Sequence, residues 1–225
     1  MTFKRTAIIF DLDGTLVDSV PDLRLAANRV LVEAGRRELT DTEVALMVGD
    51  GVPKLVERIF TATGPALSSE DHRSWMQAFL DIYESCPMDN TKLWPGVAAA
   101  LDALLKEGCH LGVCTNKPYQ ASIKILETVG INDCFCGIVG GDSTDRKKPD
   151  PKPLLTVIAA MGATPEQAVM VGDSPNDMEV ARNAGIPVIA ISFGYSKGVP
   201  PQDLGADILI HSYAELLPAL RKIKA

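Results

Sequence analysis

Ala7-Ile8-Ile9-Phe10-Asp11-Leu12-Asp13-Gly14-Thr15 is the stretch from which the rest of the chain can be read. Its first four residues are apolar and show no polar alternation, which predicts a strand buried on both faces of a parallel sheet. Two carboxylates follow, two residues apart, and then Gly14. Like charges this close repel, and one of them is pushed toward protonation. A divalent cation removes the conflict, and hard carboxylate oxygens suit Mg²⁺. The same stretch also reads as a plain strand-to-turn junction, with Asp and Gly as ordinary turn residues. The remainder of the chain decides between the two.

Beyond residue 17 the pattern becomes helical. Pro21 and Asp22 form a good helix start, and Leu23, Ala27, Val30 and Leu31 recur at helical spacing up to Gly35. Thr40 and Glu43 have the spacing of a capping box. Gly49-Asp50-Gly51 interrupts the helical pattern, Leu55, Val56, Ile59 and Phe60 give the next apolar face, and Ser68 or Ser69 caps another helix. Residues 18 to 90 therefore read as helices without a convincing strand. From Trp94-Pro95-Gly96 onward, apolar strand-like runs at residues 111–114, 136–139, 168–171, 188–191 and 207–210 alternate with helical patterns. Such alternation predicts a parallel sheet with right-handed crossovers.

Length and charge narrow the function classes. The 225 residues suit one large domain or a core with a smaller insert. A net charge of −7 argues against nucleic acid or an anionic membrane as partner, while a small anionic substrate stays compatible with a locally positive site. The segment Met1 to Thr6 leads almost directly into the first strand and does not fit a signal peptide, and no apolar run is long enough to span a membrane, so a cytoplasmic location is expected. Five cysteines, an odd number, follow no disulfide framework. Cys134 and Cys136 lack a second metal-ligating pair, so buried or half-buried thiols are expected. No feature of the sequence specifies an oligomeric state.

The polar clusters share one structural address. Asp11 and Asp13, Thr115-Asn116-Lys117, Lys148, and Asp173 to Asp177 each follow the carboxyl end of an expected strand. In an open parallel sheet, that edge is where ligands bind. Taken singly, each cluster has an ordinary reading. Thr115 and Asn116 can cap the next helix, Lys147 and Lys148 can be solvated, and Ser174 before Pro175 can be a helix N-cap. Their joint placement favours chemistry. A carboxylate at Asp11 can attack phosphorus and split a slow hydrolysis into two easier steps. Asp13 can protonate the leaving oxygen and then deprotonate water. Asp173 adds a second anionic metal ligand and Asp177 a supporting acid, while Thr115, Asn116 and Lys148 can bind the transferring phosphoryl group.

The motifs Asp11-Leu-Asp-Gly-Thr15, Thr115-Asn116, Lys148-Pro-Asp-Pro151 and Gly172-Asp173-Ser-Pro-Asn-Asp177 resemble, in order, the four motifs of the haloacid dehalogenase superfamily. The resemblance implies an α/β fold in which a Rossmann-like parallel-sheet core, residues 1–17 and 92–225, carries an inserted all-helical cap domain over residues 18–91. It implies Asp11 as nucleophile, Asp13 as acid/base, and Mg²⁺ held by the Asp11 side chain, the Asp13 backbone carbonyl and Asp173. Within the superfamily, residues 17–23 and Val48-Gly49-Asp50-Gly51 resemble phosphoglycolate phosphatases, which implies hydrolysis of 2-phosphoglycolate to glycolate and phosphate. Gly49 and Gly51 would then bring backbone N–H groups to a small substrate, with Lys54 or Arg58 meeting its carboxylate. A simple interhelical turn with solvated Lys54 and Arg58 is the alternative. Other readings are a phosphatase for a sugar phosphate or pyrophosphate, a phosphosugar mutase, a phosphonatase using Lys54, and a non-catalytic regulator. The second acid, Asp13, argues against a metal-free dehalogenase.

Overall fold

The computed structural model describes residues 5–86 and 88–223. Residues 1–4 of the expected N-terminal lead-in, residue 87 of the expected insert and residues 224–225 of the expected core lie outside the described residues.

The opening apolar run is strand β1 (Ala7–Phe10), and all four residues are buried. It is central in a six-stranded sheet with β4 (His110–Cys114), β5 (Gly137–Val139), β6 (Ala168–Gly172), β7 (Val188–Ile191) and β8 (Ile208–Ile210). The strand order is β5-β4-β1-β6-β7-β8, and every pairing is parallel. Phe10 lies level with Val113 of β4 and Val171 of β6, so these three strands end together. Alternate residues of β1 feed two cores. Ile8 and Phe10 join Val97, Leu101 and Leu104 of α5 (Val97–Lys106). Ala7 and Ile9 join Leu154, Val157 and Ile158 of α7 (Lys152–Ala160) and Val180 of α8 (Pro175–Asn183). Burial on both faces explains why β1 carries no polar alternation.

Between β1 and β4 the chain forms α1 (Val20–Glu33), α2 (Asp41–Ala45), α3 (Val52–Thr63) and α4 (Ser69–Ser85). The expected capping box is present: Glu43 N donates to Thr40 Oγ1 at 3.3 Å and Thr40 N donates to Glu43 Oε2 at 2.9 Å. Ser68 caps α4 by accepting from Asp71 N at 3.1 Å. No described helix is long and apolar enough to cross a membrane.

Among the described residues 18–90 only Asp18 lies in a strand, so the helical reading stands, and a two-stranded pairing that the sequence pattern does not show joins the two ends of the segment. Val17–Asp18 (β2) and Lys92–Leu93 (β3) pair antiparallel, Val17 with Leu93 and Asp18 with Lys92. Two residues are too few to show any periodicity. The Asp22 carboxylate adds to this junction by accepting from Thr91 N at 2.8 Å and Thr91 Oγ1 at 2.7 Å. The cysteine expectation changes at one position. All five thiols are free, Cys109 and Cys114 are buried, Cys86 and Cys134 are half-buried, but Cys136 is exposed. It stands just before the short edge strand β5, where only one neighbouring strand covers it.

Candidate active site

β1 is the point at which strand order reverses, since the chain runs outward to β4 and β5 on one side and returns to β6 on the other. The crevice above such a point is the ligand position of an open parallel sheet. Asp11 leaves the end of β1, Thr115 the end of β4 and Asp173 the end of β6. A cleft opens there, lined by Asp11, Asp13, Thr115, Asn116 and Lys117 from the sheet edge. Gly49, Gly51, Val52 and Leu55 line it from the helical segment.

The floor of the site is an ionic cluster. Lys148 Nζ, with a side chain 1% exposed, lies 3.0 Å from Asp11 Oδ1 and 2.7 Å from Asp177 Oδ1. Burial alone would lower the ammonium pKa, but the facing Asp11 and Asp177 carboxylates outweigh it and raise the value above that of a free lysine. Burial pushes Asp11 upward, Lys148 pulls it down and Asp177 pushes it up again, for a net value of about 6. Asp173 is raised well above its ordinary range by burial, then by Asp177 and Asp11. Asp177 is a supporting group: its Oδ2 accepts from Ser174 Oγ at 2.7 Å, Ser174 N at 3.0 Å and Asp173 N at 3.2 Å. The same contacts close the capping box of α8.

Carboxylate oxygens of Asp11, Asp173 and Asp177 all lie within 4.8 Å of one another. Three buried carboxylates face one buried ammonium, a charge deficit that a divalent cation fits. Asp173 is tightly oriented. Its Oδ1 accepts from Thr15 Oγ1 and its Oδ2 from Tyr195 N, both at 2.5 Å. Gly14, at φ +86°, lies against this carboxylate, and a Cβ there would fall 2.3 Å from Asp173 Oδ2. Only glycine combines that backbone angle with that approach.

Asp13 sits apart from the triad. Ser19 Oγ donates to its Oδ1 at 2.5 Å, and Lys117 Nζ is 3.2 Å from each of its oxygens. Asn116 ties three segments together. Its Nδ2 donates to Gly49 O and to Lys148 O, both at 3.0 Å, and its Oδ1 accepts from Lys148 N at 2.9 Å. Thr115 is buried beside the cleft and accepts from Lys117 N at 3.2 Å.

Lys54 is not brought to this site. Its ammonium is half exposed on the surface, 2.7 Å from Glu57. It stands at the third position of α3, where its neighbours Val52 and Leu55 line the cleft and Lys54 does not. Arg58 is also engaged elsewhere, with Asp50 at 2.6 Å and Met47 O at 2.8 Å.

Three contributors had no clear signal in the sequence. Lys117 is buried, and its only cue is adjacency to Thr115-Asn116. Asp50 joins Lys197 at 2.7 Å and accepts from Asn176 Nδ2 at 2.7 Å, so the Gly49-Asp50-Gly51 loop is fastened to the sheet edge. Burial would raise the Asp50 carboxyl, but hydrogen bonds from Lys197, Asn176 and Arg58 hold it down at about 2. Tyr195 donates through its hydroxyl to Asp18 and accepts there from Ser19 N at 3.0 Å and Val20 N at 3.2 Å.

Comparison with known proteins agrees with this geometry. A family model described as haloacid dehalogenase-like hydrolase matches residues 8–191. A phosphoglycolate phosphatase of Rhodospirillum rubrum is 42% identical over 214 residues, covering 93% of this chain and 88% of that protein. One from Caulobacter vibrioides is 41% identical over 209 residues, with the same coverages of 93% and 88%. A crystal structure from Haemophilus somnus 129PT, described as a predicted phosphoglycolate phosphatase, superposes with a TM-score of 0.89 at 31% identity, covering 96% of this chain and 98% of that one. With a family match over most of its length, strand-end carboxylates at the reversal point of a parallel sheet, and relatives at this identity, the chain belongs to the haloacid dehalogenase-like hydrolases.

Proposed function

We propose that this hydrolase is a Mg²⁺-dependent phosphomonoesterase that hydrolyses 2-phosphoglycolate to glycolate and phosphate. The observation that carries the reading is the composition of the cleft at the end of β1. A buried carboxylate lies at its floor, a second acid two residues on stands beside it, and two glycines of an overlying loop form the roof. That space suits a compact phosphorylated metabolite, and the names of the R. rubrum and C. vibrioides relatives support the choice among such metabolites.

In this reading Asp11 attacks phosphorus through a carboxylate oxygen and the ester oxygen departs, leaving an aspartyl-phosphate. Asp13 gives its proton to the departing oxygen, then takes one from the water that hydrolyses the aspartyl-phosphate. Ser19 and Lys117 hold the Asp13 carboxylate toward the cleft. The Thr115 hydroxyl and the Asn116 backbone N–H supply neutral donors to the phosphoryl oxygens, the Asn116 amide being occupied by Gly49 O and Lys148 O, and Lys148 supplies a fixed charge beside Asp11. Asp11, the Asp13 carbonyl and Asp173 would hold Mg²⁺, which when bound screens the repulsion between the Asp11 carboxylate and the phosphate. Residues 18–91 act as a cap, with Gly49 and Gly51, both at positive φ, presenting backbone to the substrate.

The test is phosphate release with Mg²⁺ across 2-phosphoglycolate, sugar phosphates, pyrophosphate and nucleotides, ranked by kcat/KM. A clear lead for 2-phosphoglycolate, lost with EDTA or in Asp11→Asn, is the expected result. A lead for a sugar phosphate or pyrophosphate would refute the substrate and keep the chemistry. Metal-independent release would refute the role given to Mg²⁺.

A further inference from the structure

A phosphorylated hydroxy acid carries a second anion on its leaving group, and the cleft has to meet it. Lys117 is the one cation among the described residues that line the cleft. Lys54 and Arg58 are engaged away from it, and Lys148 lies beneath, between Asp11 and Asp177. The Lys117 ammonium is 4% exposed and sits 4.6 Å from the centroid of the Tyr83 ring. It touches Asp13 at 3.2 Å to each oxygen, longer than the roughly 2.7–2.9 Å of a well-made ammonium–carboxylate bond. An ammonium has three donors; the two long contacts to Asp13 use at most two of them, which leaves one for a second acceptor.

Position matters as much as charge. In 2-phosphoglycolate a single methylene separates the ester oxygen from the carboxylate. A cation in contact with Asp13, the group that serves the ester oxygen, is therefore also within reach of that carboxylate. On the side of the helical segment stand Val48 and Leu55, together with the N-terminus of the twelve-residue α3, whose positive dipole end favours an anion.

We propose that Lys117 is the specificity-determining residue of this site, binding the carboxylate of the leaving group while Asp13 serves the ester oxygen. This rests on the phosphoglycolate reading above. It assigns to a sheet-edge residue the recognition that the sequence alone suggests for Lys54 or Arg58, so selectivity does not depend on a charged side chain of the helical segment.

The experiment compares kcat/KM for 2-phosphoglycolate and for 2-hydroxyethyl phosphate, a leaving group of equal length without charge, in the wild type, Lys117→Gln and Lys117→Arg. Gln keeps an N–H for Asp13 and removes the charge; Arg keeps the charge. The wild type is expected to favour 2-phosphoglycolate by about 100-fold, the scale of a desolvated charge pair. In Lys117→Gln that preference should collapse to within about fivefold, chiefly through KM for 2-phosphoglycolate, whereas Lys117→Arg retains most of it. Equal loss on both substrates in Lys117→Gln, with the ratio kept, would overturn the inference alone and leave Lys117 only an Asp13-positioning role. Lys117→Arg losing the ratio while binding phosphate normally would also overturn it. A wild type without carboxylate preference would overturn the phosphoglycolate reading and this inference together.

Discussion

Replacing Lys148 by Met keeps the length and most of the volume of the side chain and removes the ammonium. In the folded protein that ammonium is the counter-charge 3.0 Å from Asp11 and 2.7 Å from Asp177. Without it, Asp11, Asp173 and Asp177 remain as three buried carboxylates within 4.8 Å. Removing one partner of a buried ion pair costs about 3–5 kcal/mol, because the charge left behind is uncompensated. For a chain of this size each kcal/mol is worth roughly 2–4 °C, so the metal-free variant should melt about 6–20 °C below the wild type. Mg²⁺ should restore part of the loss, since the excess charge is what it neutralises, and the Mg²⁺-induced rise in Tm should be larger in Lys148→Met than in the wild type. Turnover should fall by at least about 100-fold even at saturating Mg²⁺, because the charge beside the attacking carboxylate is gone. Thermal melts in EDTA and in Mg²⁺, with phosphate release on the same samples, supply the numbers. A drop in Tm below about 2 °C in EDTA, or an identical Mg²⁺ increment in both proteins, would refute the charge argument.

Other consequences can be measured alongside. Asp50→Ala removes contacts to Arg58, Lys197 and Asn176 that are part-exposed and worth about 1–2 kcal/mol together, so kcat/KM should fall about 5–30-fold by steady-state kinetics. Lys54→Ala, on the outer face of α3, should change kcat/KM less than about twofold. Gly14→Ala forces a Cβ to 2.3 Å from Asp173 Oδ2 at φ +86°; it should cost at least about 2 kcal/mol in a denaturant melt and shift the Mg²⁺ activation curve to higher concentration. Asp11 titrates in the folded protein at about 6 against an ordinary 3.8, and Asp173 is also raised, both chiefly by burial. The metal-free fold therefore holds protons that the unfolded chain has released, and its stability should fall as pH rises from 3.8 through about 6. Saturating Mg²⁺ should flatten that slope, and a metal-free Tm that climbs over the window would contradict the assignment.

The legible part of this protein is the part governed by local pattern. Ala7 to Phe10 is uniformly apolar because β1 is covered on both faces, and Asp11 is conspicuous for following it directly. The clusters at Thr115, Lys148 and Asp173 could be assembled because a parallel sheet sends successive strand ends to one edge. What escaped reading depends on contacts between residues distant in sequence. Asp50 lies between two glycines and looks like a turn residue; its grip on Asn176 and Lys197 exists only once the sheet is folded. Tyr195 sits in a Gly/Pro-rich loop with no periodicity, yet its hydroxyl meets Asp18 and the start of α1. Lys54 is the cation the sequence puts forward, but it stays on the surface beside Glu57, and Lys117, with no cue beyond its neighbours, is the one buried at the cleft.

The two-residue pairing of β2 with β3 has a consequence beyond holding two short strands together. Val17 faces Leu93 and Asp18 faces Lys92, so the chain departs from the sheet and rejoins it side by side. To the sheet at whose edge Asp11, Asp173 and the Lys148 loop stand, everything in between is a closed excursion whose ends already meet. Changing the length of such an excursion costs little, about 0.6 kcal/mol per doubling. Descendants of this chain can therefore exchange the whole excursion, roof loop included, for another of different size while the catalytic floor is inherited intact. The roof over the site can thus change while Asp11, Lys117 and Asp173 stay at the edge of the sheet.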